Sequence, residues 1–425
     1  MKRGAVFVVA AAVVLTLPLW ANAAAGDLDS SFGSGGKVLT DFGASSFDVA
    51  TAVALERNGS VVVAGTRGQE DNPDFAVARY QRDGTLDQSF GSGGKVLTGF
   101  GASSFDFGTD VAVQPSGKVV VAGGSSASGS PDFALVRYDQ DGSLDPSFGS
   151  GGKVLTDFGA VDGARAVAIQ PNGKIVAGGE SGNTSAGGPG SFEFALARYN
   201  ADGSLDSSFG SDGVVLTDFD LERIESIADL ALQPNGKIIA VGTSSGEVTN
   251  DFVLARYNGD GSLDSTFGSG GKVRIHLSGT SFDEANAVAL EPNGKIIVGG
   301  SFDNGFLLAR FDRNGSLDPS FGSGGKVLTD LGPNPGQGFA VAVAPSGKIV
   351  QAGWSGPDFA LFRFNRDGSL DLSFGSAGEV LTHFGTSDFD QAHAVALEPN
   401  GKIVAAGGSF SLDNGQFALA RYLAR

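Results

Sequence analysis

The sequence predicts an all-β fold: a seven-bladed β-propeller, four antiparallel strands per blade, with the last blade closed by the N-terminal strand. Three observations lead there. The motif LDxSFGSxG recurs with its Phe at Phe32, Phe90, Phe148, Phe209, Phe267, Phe321 and Phe374, at intervals of 53 to 61 residues, and such a period marks a repeat architecture. Each copy breaks into four short strand-like runs punctuated by Gly turns, the pattern of one propeller blade. Finally, the array opens with the last run of a copy and closes with the first three, so its ends complement each other. An open β-solenoid has no reason to be cut that way, whereas a ring hides its edges by doing so.

Taken in chain order, residues 1–23 read as a signal peptide. Lys2 and Arg3 precede an apolar run from Ala5 to Trp20, then Ala21-Asn22-Ala23 gives the small-x-small pattern of a cleavage site. A transmembrane anchor is the rival reading, and the run is short for one. The expected division is therefore a leader, 1–23, and one propeller, 24–425, secreted or periplasmic.

Within a copy, AVALQPNGKIVVAGG gives strands a and b joined by a Pro-Asn-Gly bend, whose Gly recurs at Gly59, Gly117, Gly173, Gly236, Gly294, Gly347 and Gly401. FALARY gives strand c and SLDSSF is expected as strand d, turning at Ala-Asp-Gly. With the turn Gly in the left-handed position, the hairpin arithmetic sets Arg79 against Asp87, Arg137 against Asp145, Arg198 against Asp206, Arg256 against Asp264, Arg310 against Asp318 and Arg363 against Asp371. Closure of the ring adds Arg421 against Asp29. Directly opposed residues on neighbouring strands are first of all structural partners.

Composition narrows the chemistry. Of 425 residues 67 are Gly, none is Cys and three are His, which excludes disulfides, thiolate nucleophiles and zinc-cysteine sites. The formal charge of -18 becomes -20 once Lys2 and Arg3 are removed. Such a surface repels nucleic acid and anionic lipid.

The unit LDxSFGxGGKVxT, AVAxQPNGKIVVAGG, FALARYNxDGSLD resembles the delta-60 repeat, a bacterial β-propeller domain, over nearly the whole chain after the leader. More distantly, its xPNGKIVVAGG half is similar to NHL-type propeller repeats. The resemblance implies a propeller and carries no chemistry.

One rim holds the tight turns, alike in every copy; the other holds the b–c loops and the d-to-a crossings, where the copies differ, from Glu180–Ser191 down to Ser301–Asn304. On that rim Asp48, Asp106, Asp162, Glu225, Asp283 and Asp390 occupy one repeat position, interrupted by Gly336. Six carboxylates at a channel mouth suit a cation or a basic ligand; the plainer reading makes each a cap for loop amides. Three residues on, Thr51, Thr109, Arg165, Ala228, Asn286, Phe339 and His393 all differ, as a shaped pocket requires. Asp139-x-Asp141-Gly-x-x-Asp145 looks like a calcium loop but supplies too few oxygens, and Gly242-Thr-Ser-Ser-Gly246 lacks the following helix of a nucleophile elbow. His276 and His383 read as surface polar residues.

Three functions fit. The expected one is a secreted, non-catalytic propeller that binds an extracellular ligand, a glycan or a protein, through the variable rim. The others are a metal-dependent propeller hydrolase or lyase using the acidic ring and His393, and a structural or adhesive extracellular protein. No cofactor is required; Ca2+ is the ion the carboxylate ring would take. No nucleic acid partner, no membrane span after leader cleavage and a monomeric state are expected.

Overall fold

The computed structural model describes residues 23–43, 46–68, 72–159, 161–183, 191–219, 223–246, 249–277, 282–332, 334–385 and 389–424. Of the expected leader, residues 1–22 lie outside the described residues, as do 184–190 in the longest b–c loop. The described residues form 28 strands and no helix.

The first four-stranded unit is β2 (Phe47–Leu55), β3 (Val61–Gly68), β4 (Asp74–Tyr80) and β5 (Lys95–Thr98), each antiparallel to the next. The second is β6 (Asp106–Val113), β7 (Val119–Ser125), β8 (Asp132–Tyr138) and β9 (Lys153–Thr156). Next come β10 (Val161–Ile169), β11 (Ile175–Asn183), β12 (Ser191–Tyr199) and β13 (Val214–Thr217), then β14 (Ile224–Leu232), β15 (Ile238–Ser245), β16 (Asn250–Tyr257) and β17 (Lys272–Ile275). The fifth unit holds β18 (Asp283–Leu290), β19 (Ile296–Phe302), β20 (Gly305–Phe311) and β21 (Lys326–Thr329), and the sixth β22 (Gly336–Val343), β23 (Ile349–Ser355), β24 (Asp358–Phe364) and β25 (Glu379–Thr382). The last group, β26 (Phe389–Leu397), β27 (Ile403–Ser411) and β28 (Asn414–Tyr422), takes its fourth strand from the other end of the chain: β1 (Lys37–Thr40) pairs with β28, Lys37 opposite Ala420 and Thr40 opposite Phe417.

One expectation is corrected here. The fourth strand of each unit is the KVLT run, not SLDSSF. SLDSSF makes a single backbone bridge to strand c, Tyr80 to Leu86, flanked by the bonds from Asp87 N to Arg79 O and from Gln81 N to Thr85 O. Asp87 Oδ1 then accepts from Ser89 N and Ser89 Oγ, an Asx turn that ends the extended run. Phe90 drops into the core, and Gly91, Gly93 and Gly94, all at positive φ, turn the chain back into KVLT. In the same way Asp27–Phe32, expected as an orphan strand, forms one bridge, Leu28 to Tyr422, and a turn.

The apolar clusters lie between units. Val62 and Val77 of the first pack with Val111, Val121 and Tyr138 of the second, and Val61 and Ala78 pack on Phe32, Val404 and Leu419 from the last unit. The first strands are neighbours in succession, β2 to β6, β6 to β10, β10 to β14, and so on to β26, which neighbours β2.

Candidate functional site

The rim that carries the tight turns is a repeated brace. Arg79, Arg137, Arg198, Arg256, Arg310, Arg363 and Arg421 are buried. Each donates from Nε to Oδ2 of, in turn, Asp87, Asp145, Asp206, Asp264, Asp318, Asp371 and Asp29, at 2.6–2.8 Å. Each guanidinium also lies over the Phe of the LDxSF motif, 4.4–4.6 Å from the ring centre. Its third contact leaves the unit: Arg79 Nη1 donates to Gln140 O in the next turn and Arg421 to Arg82 O in the first. A Lys from the a–b turn joins six of the seven aspartates, for example Lys118 Nζ to Asp145 Oδ2 at 2.7 Å and Lys402 to Asp29 at 2.6 Å; in the unit of Asp87 that repeat position is Ser60. A fully partnered buried ion pair of this kind is structural, and removing one member costs about 3–5 kcal/mol. The calcium-like turn is engaged likewise: Asp141 accepts from Ser143, and Asp139 and Asp145 from Lys118.

At the opposite rim, the six carboxylates of the acidic set are buried. One oxygen of each accepts a backbone amide from the segment after the fourth strand of the preceding unit: Asp48 from Phe42, Asp106 from Phe100, Asp162 from Phe158, Glu225 from Phe219, Asp283 from Leu277 and Asp390 from Phe384, at 2.6–2.9 Å. Each therefore ties two units together. Burial pushes Asp48 and Asp162 above the usual carboxylate range and Glu225 up to about 7.

Three set members also meet residues that sequence spacing does not bring near them. Asp162 groups with Asp132 and Asp157, and Asp390 with Asp358 and His383, donor atoms within 4.8 Å of one another. His276 Nδ1 lies 3.2 Å from Asp251 and 3.4 Å from Asp283. The register of strands c and d explains the gathering: Phe133 opposes Thr156, so Asp132 and Asp157 fall one step beyond.

Thr51, Thr109, Arg165, Ala228, Asn286, Phe339 and His393 are the bulged residues of the seven first strands, skipped between Ala50 and Ala52 and at each equivalent place. A bulge re-aims its side chain. The sequence signal is the Gly opposite: a Cβ at Gly65 would stand 2.0 Å from Val49 O, and at Gly353 1.8 Å from Gln337 O, so this Gly of strand b leaves room for the bulge. The bulged side chains knit neighbouring units. Thr51 donates to Gly108 O, Thr109 to Ala164 O and Asn286 to Gly338 O, and His393 Nδ1 meets Ala50 O at 3.0 Å. Burial lowers the His393 pKa. Arg165 forms a bidentate pair with Glu180.

The sequence reading missed Asp110 and Asp229, one residue past the bulge, where the other units carry Ala. Asp110 accepts from Val111 N and from Val167 N of the next unit, Asp229 from Leu230 N and Val288 N. Burial pushes Asp110 up to about 6, and burial with the Asp110 charge pushes Asp229 up to about 7. An Asp opening the AVAL run was the available signal.

These repeated four-stranded units, braced from unit to unit, define a β-propeller repeat protein. The chain belongs to the family described as "Domain of unknown function (DUF5122) beta-propeller", whose model matches residues 56–90, 114–148, 170–209, 233–267, 291–321 and 344–374. No curated protein matches it significantly. Among solved structures it is similar to a protein of unknown function from Dyadobacter fermentans, at 12% identity and TM-score 0.50 over 92% of this chain and 98% of that one. It is also similar to the polysaccharide lyase Uly1, at 11% and 0.50 over 88% and 90%, and to Sqt1 from Chaetomium thermophilum, at 14% and 0.50 over 89% and 95%. Likeness at these identities is of fold alone.

Proposed function

We propose that this protein is an exported, non-catalytic propeller of seven blades that binds an extracellular glycan or protein on the rim bearing the b–c loops. The seven blades are supported by the seven four-stranded groups and by the apolar cluster joining last to first. One observation carries the binding face. Phe47, Phe105 and Phe282, with Ile224, are about half exposed (49–54%) at the mouth of the inner strands, each beside a buried carboxylate of the acidic set. The Phe of every LDxSF motif is fully buried by contrast. Exposed aromatic rings held at fixed spacing on a rigid rim suit stacking on sugar rings or capture of apolar side chains.

The test is a glycan and peptide array probed with the wild type and with Phe47→Ser, Phe105→Ser and Phe282→Ser combined. At roughly 0.5–1.5 kcal/mol per ring, the triple variant loses about tenfold or more in binding with its thermal midpoint unchanged. A wild type that binds nothing on the array, or a triple variant that binds as the wild type does, overturns the reading.

A further inference from the structure

The three carboxylates Asp132, Asp157 and Asp162 form, among the described residues, an all-carboxylate group on this rim. Asp132 opens β8, Asp157 follows β9 and Asp162 lies on β10, so two units converge on one point. One oxygen from each lies within 4.8 Å of the others. Oxygens bound to a common Ca2+ at about 2.3–2.6 Å are at most about 5 Å apart, so one ion spans them.

Two independent observations point to a cation. Asp132 and Asp162 are 1% and 2% exposed, and Oδ1 of each is buried with no hydrogen-bond partner; Asp48 and Asp106 each carry one such oxygen as well, but here two such carboxylates share one group, an arrangement that is expensive unless a positive charge completes it. The second is a substitution in the repeat. In neighbouring units a Lys at the start of the fourth strand reaches over to the carbonyl at the Asp157 position: Lys95 Nζ donates to Asp41 O at 2.7 Å, Lys153 to Gly99 O at 2.5 Å and Lys272 to Asp218 O at 2.9 Å. The residue that would do so here is Val214. The unit that collects three aspartates has therefore lost the ammonium. Where Lys153 is present, it and Arg67 favour the charged form of Asp74; the charges acting on Asp132 and Asp162 are other carboxylates, and both are raised by burial and then by Asp157. The second three-residue group, Asp358, His383 and Asp390, brings its own imidazole, and Lys37 Nζ donates to His383 O.

We infer that Asp132, Asp157 and Asp162 form a Ca2+ site that clamps the second unit to the third. All donors are hard oxygens, and the irregular geometry of a loop-edge site suits Ca2+ better than the strict octahedron of Mg2+. The ion takes the place that a Lys side chain fills elsewhere in the repeat, and water completes its shell.

The probe is CaCl2 titrated by calorimetry into chelator-treated protein, with thermal midpoints measured in parallel. The wild type binds one Ca2+ at this site and its midpoint rises with Ca2+. Asp157→Asn, at the exposed member, weakens that binding about tenfold or more. Val214→Lys supplies the missing ammonium, lowers Ca2+ affinity to a similar extent and keeps or raises the midpoint in chelator, which separates loss of a site from loss of the fold. Asp358→Asn leaves binding unchanged. Absence of both heat and midpoint shift in the wild type overturns the proposal, as does wild-type affinity in both Asp157→Asn and Val214→Lys.

Discussion

Asp110 and Asp229 give single residues a measurable consequence. Their carboxyls are pushed up to about 6 and about 7, against about 3.9 in an unfolded chain. Between pH 4 and pH 7 the folded protein therefore holds protons that the unfolded chain has released, and stability falls as pH rises through that window. The brace aspartates act oppositely. Burial raises Asp145 and Asp206, but their Lys, Ser and Arg partners outweigh it and hold both well below the usual range. Their contribution is complete above about pH 4 and is lost as pH falls below it. The two effects together place maximal stability at mildly acid pH. In Asp229→Asn the side chain stays neutral at every pH, but its one oxygen can accept from only one of Leu230 N and Val288 N, which donate to separate oxygens of Asp229. The lost acceptor is a constant cost, so thermal unfolding should show the variant's midpoint gaining on the wild type's between pH 4.5 and pH 7.5; a difference that is the same at both would show that Asp229 titrates normally.

At the scale of the element, the sequence discloses what is local and hides what crosses between units. A Gly in each c–d turn sets the hairpin register, so Arg79 against Asp87 is simple counting, and the contact is there at 2.8 Å. The fourth strand is harder to read because SLDSSF alternates apolar and polar residues like a strand, while KVLT is only four residues long. The partners of Asp162 were out of reach too, since Asp132 and Asp157 come from the preceding unit. A buried hydroxyl pair records the same crossing. Tyr80 OH donates to Thr40 Oγ1 at 2.7 Å, Tyr138 to Thr98 at 2.8 Å and Tyr257 to Thr217 at 2.9 Å. In the one fully apolar variant Phe311 packs against Ile275. Thr40→Val alone strands the Tyr80 hydroxyl and should destabilise by about 1–3 kcal/mol. Adding Tyr80→Phe recovers most of that loss, as the natural Phe311 and Ile275 pair implies. A double-mutant cycle in urea reads the coupling; additive losses would mean that water satisfies Tyr80.

For the whole molecule the question is whether the two ends work as one junction. Gly26 N donates to Leu423 O at 2.8 Å, Leu423 N to Asp27 O at 2.9 Å and Asp29 N to Arg421 O at 2.8 Å. Arg421 also holds Asp29 and Phe32 as each internal Arg holds its own motif. In every other unit the third and fourth strands are consecutive in the chain, whereas β28 and β1 are joined only in space. The break between them then carries no structural information, and moving it should be harmless. A circular permutant that begins at Asp413, beside the highly exposed Leu412, continues to Arg425, passes through a short linker to Ala24 and ends at Leu412 makes β28 and β1 a contiguous pair. It leaves closure to the pairing of β27 with β28, which already exists. Exposed loop tips are where new termini are tolerated. The permutant should unfold in one cooperative transition with a midpoint within about 2 °C of the unpermuted chain from Ala24, a shift of under about 2 kcal/mol for a chain of this length and so below the cost of a lost buried ion pair. A collapsed midpoint or two separated transitions would mean that the chain ends must be free for the last unit to close.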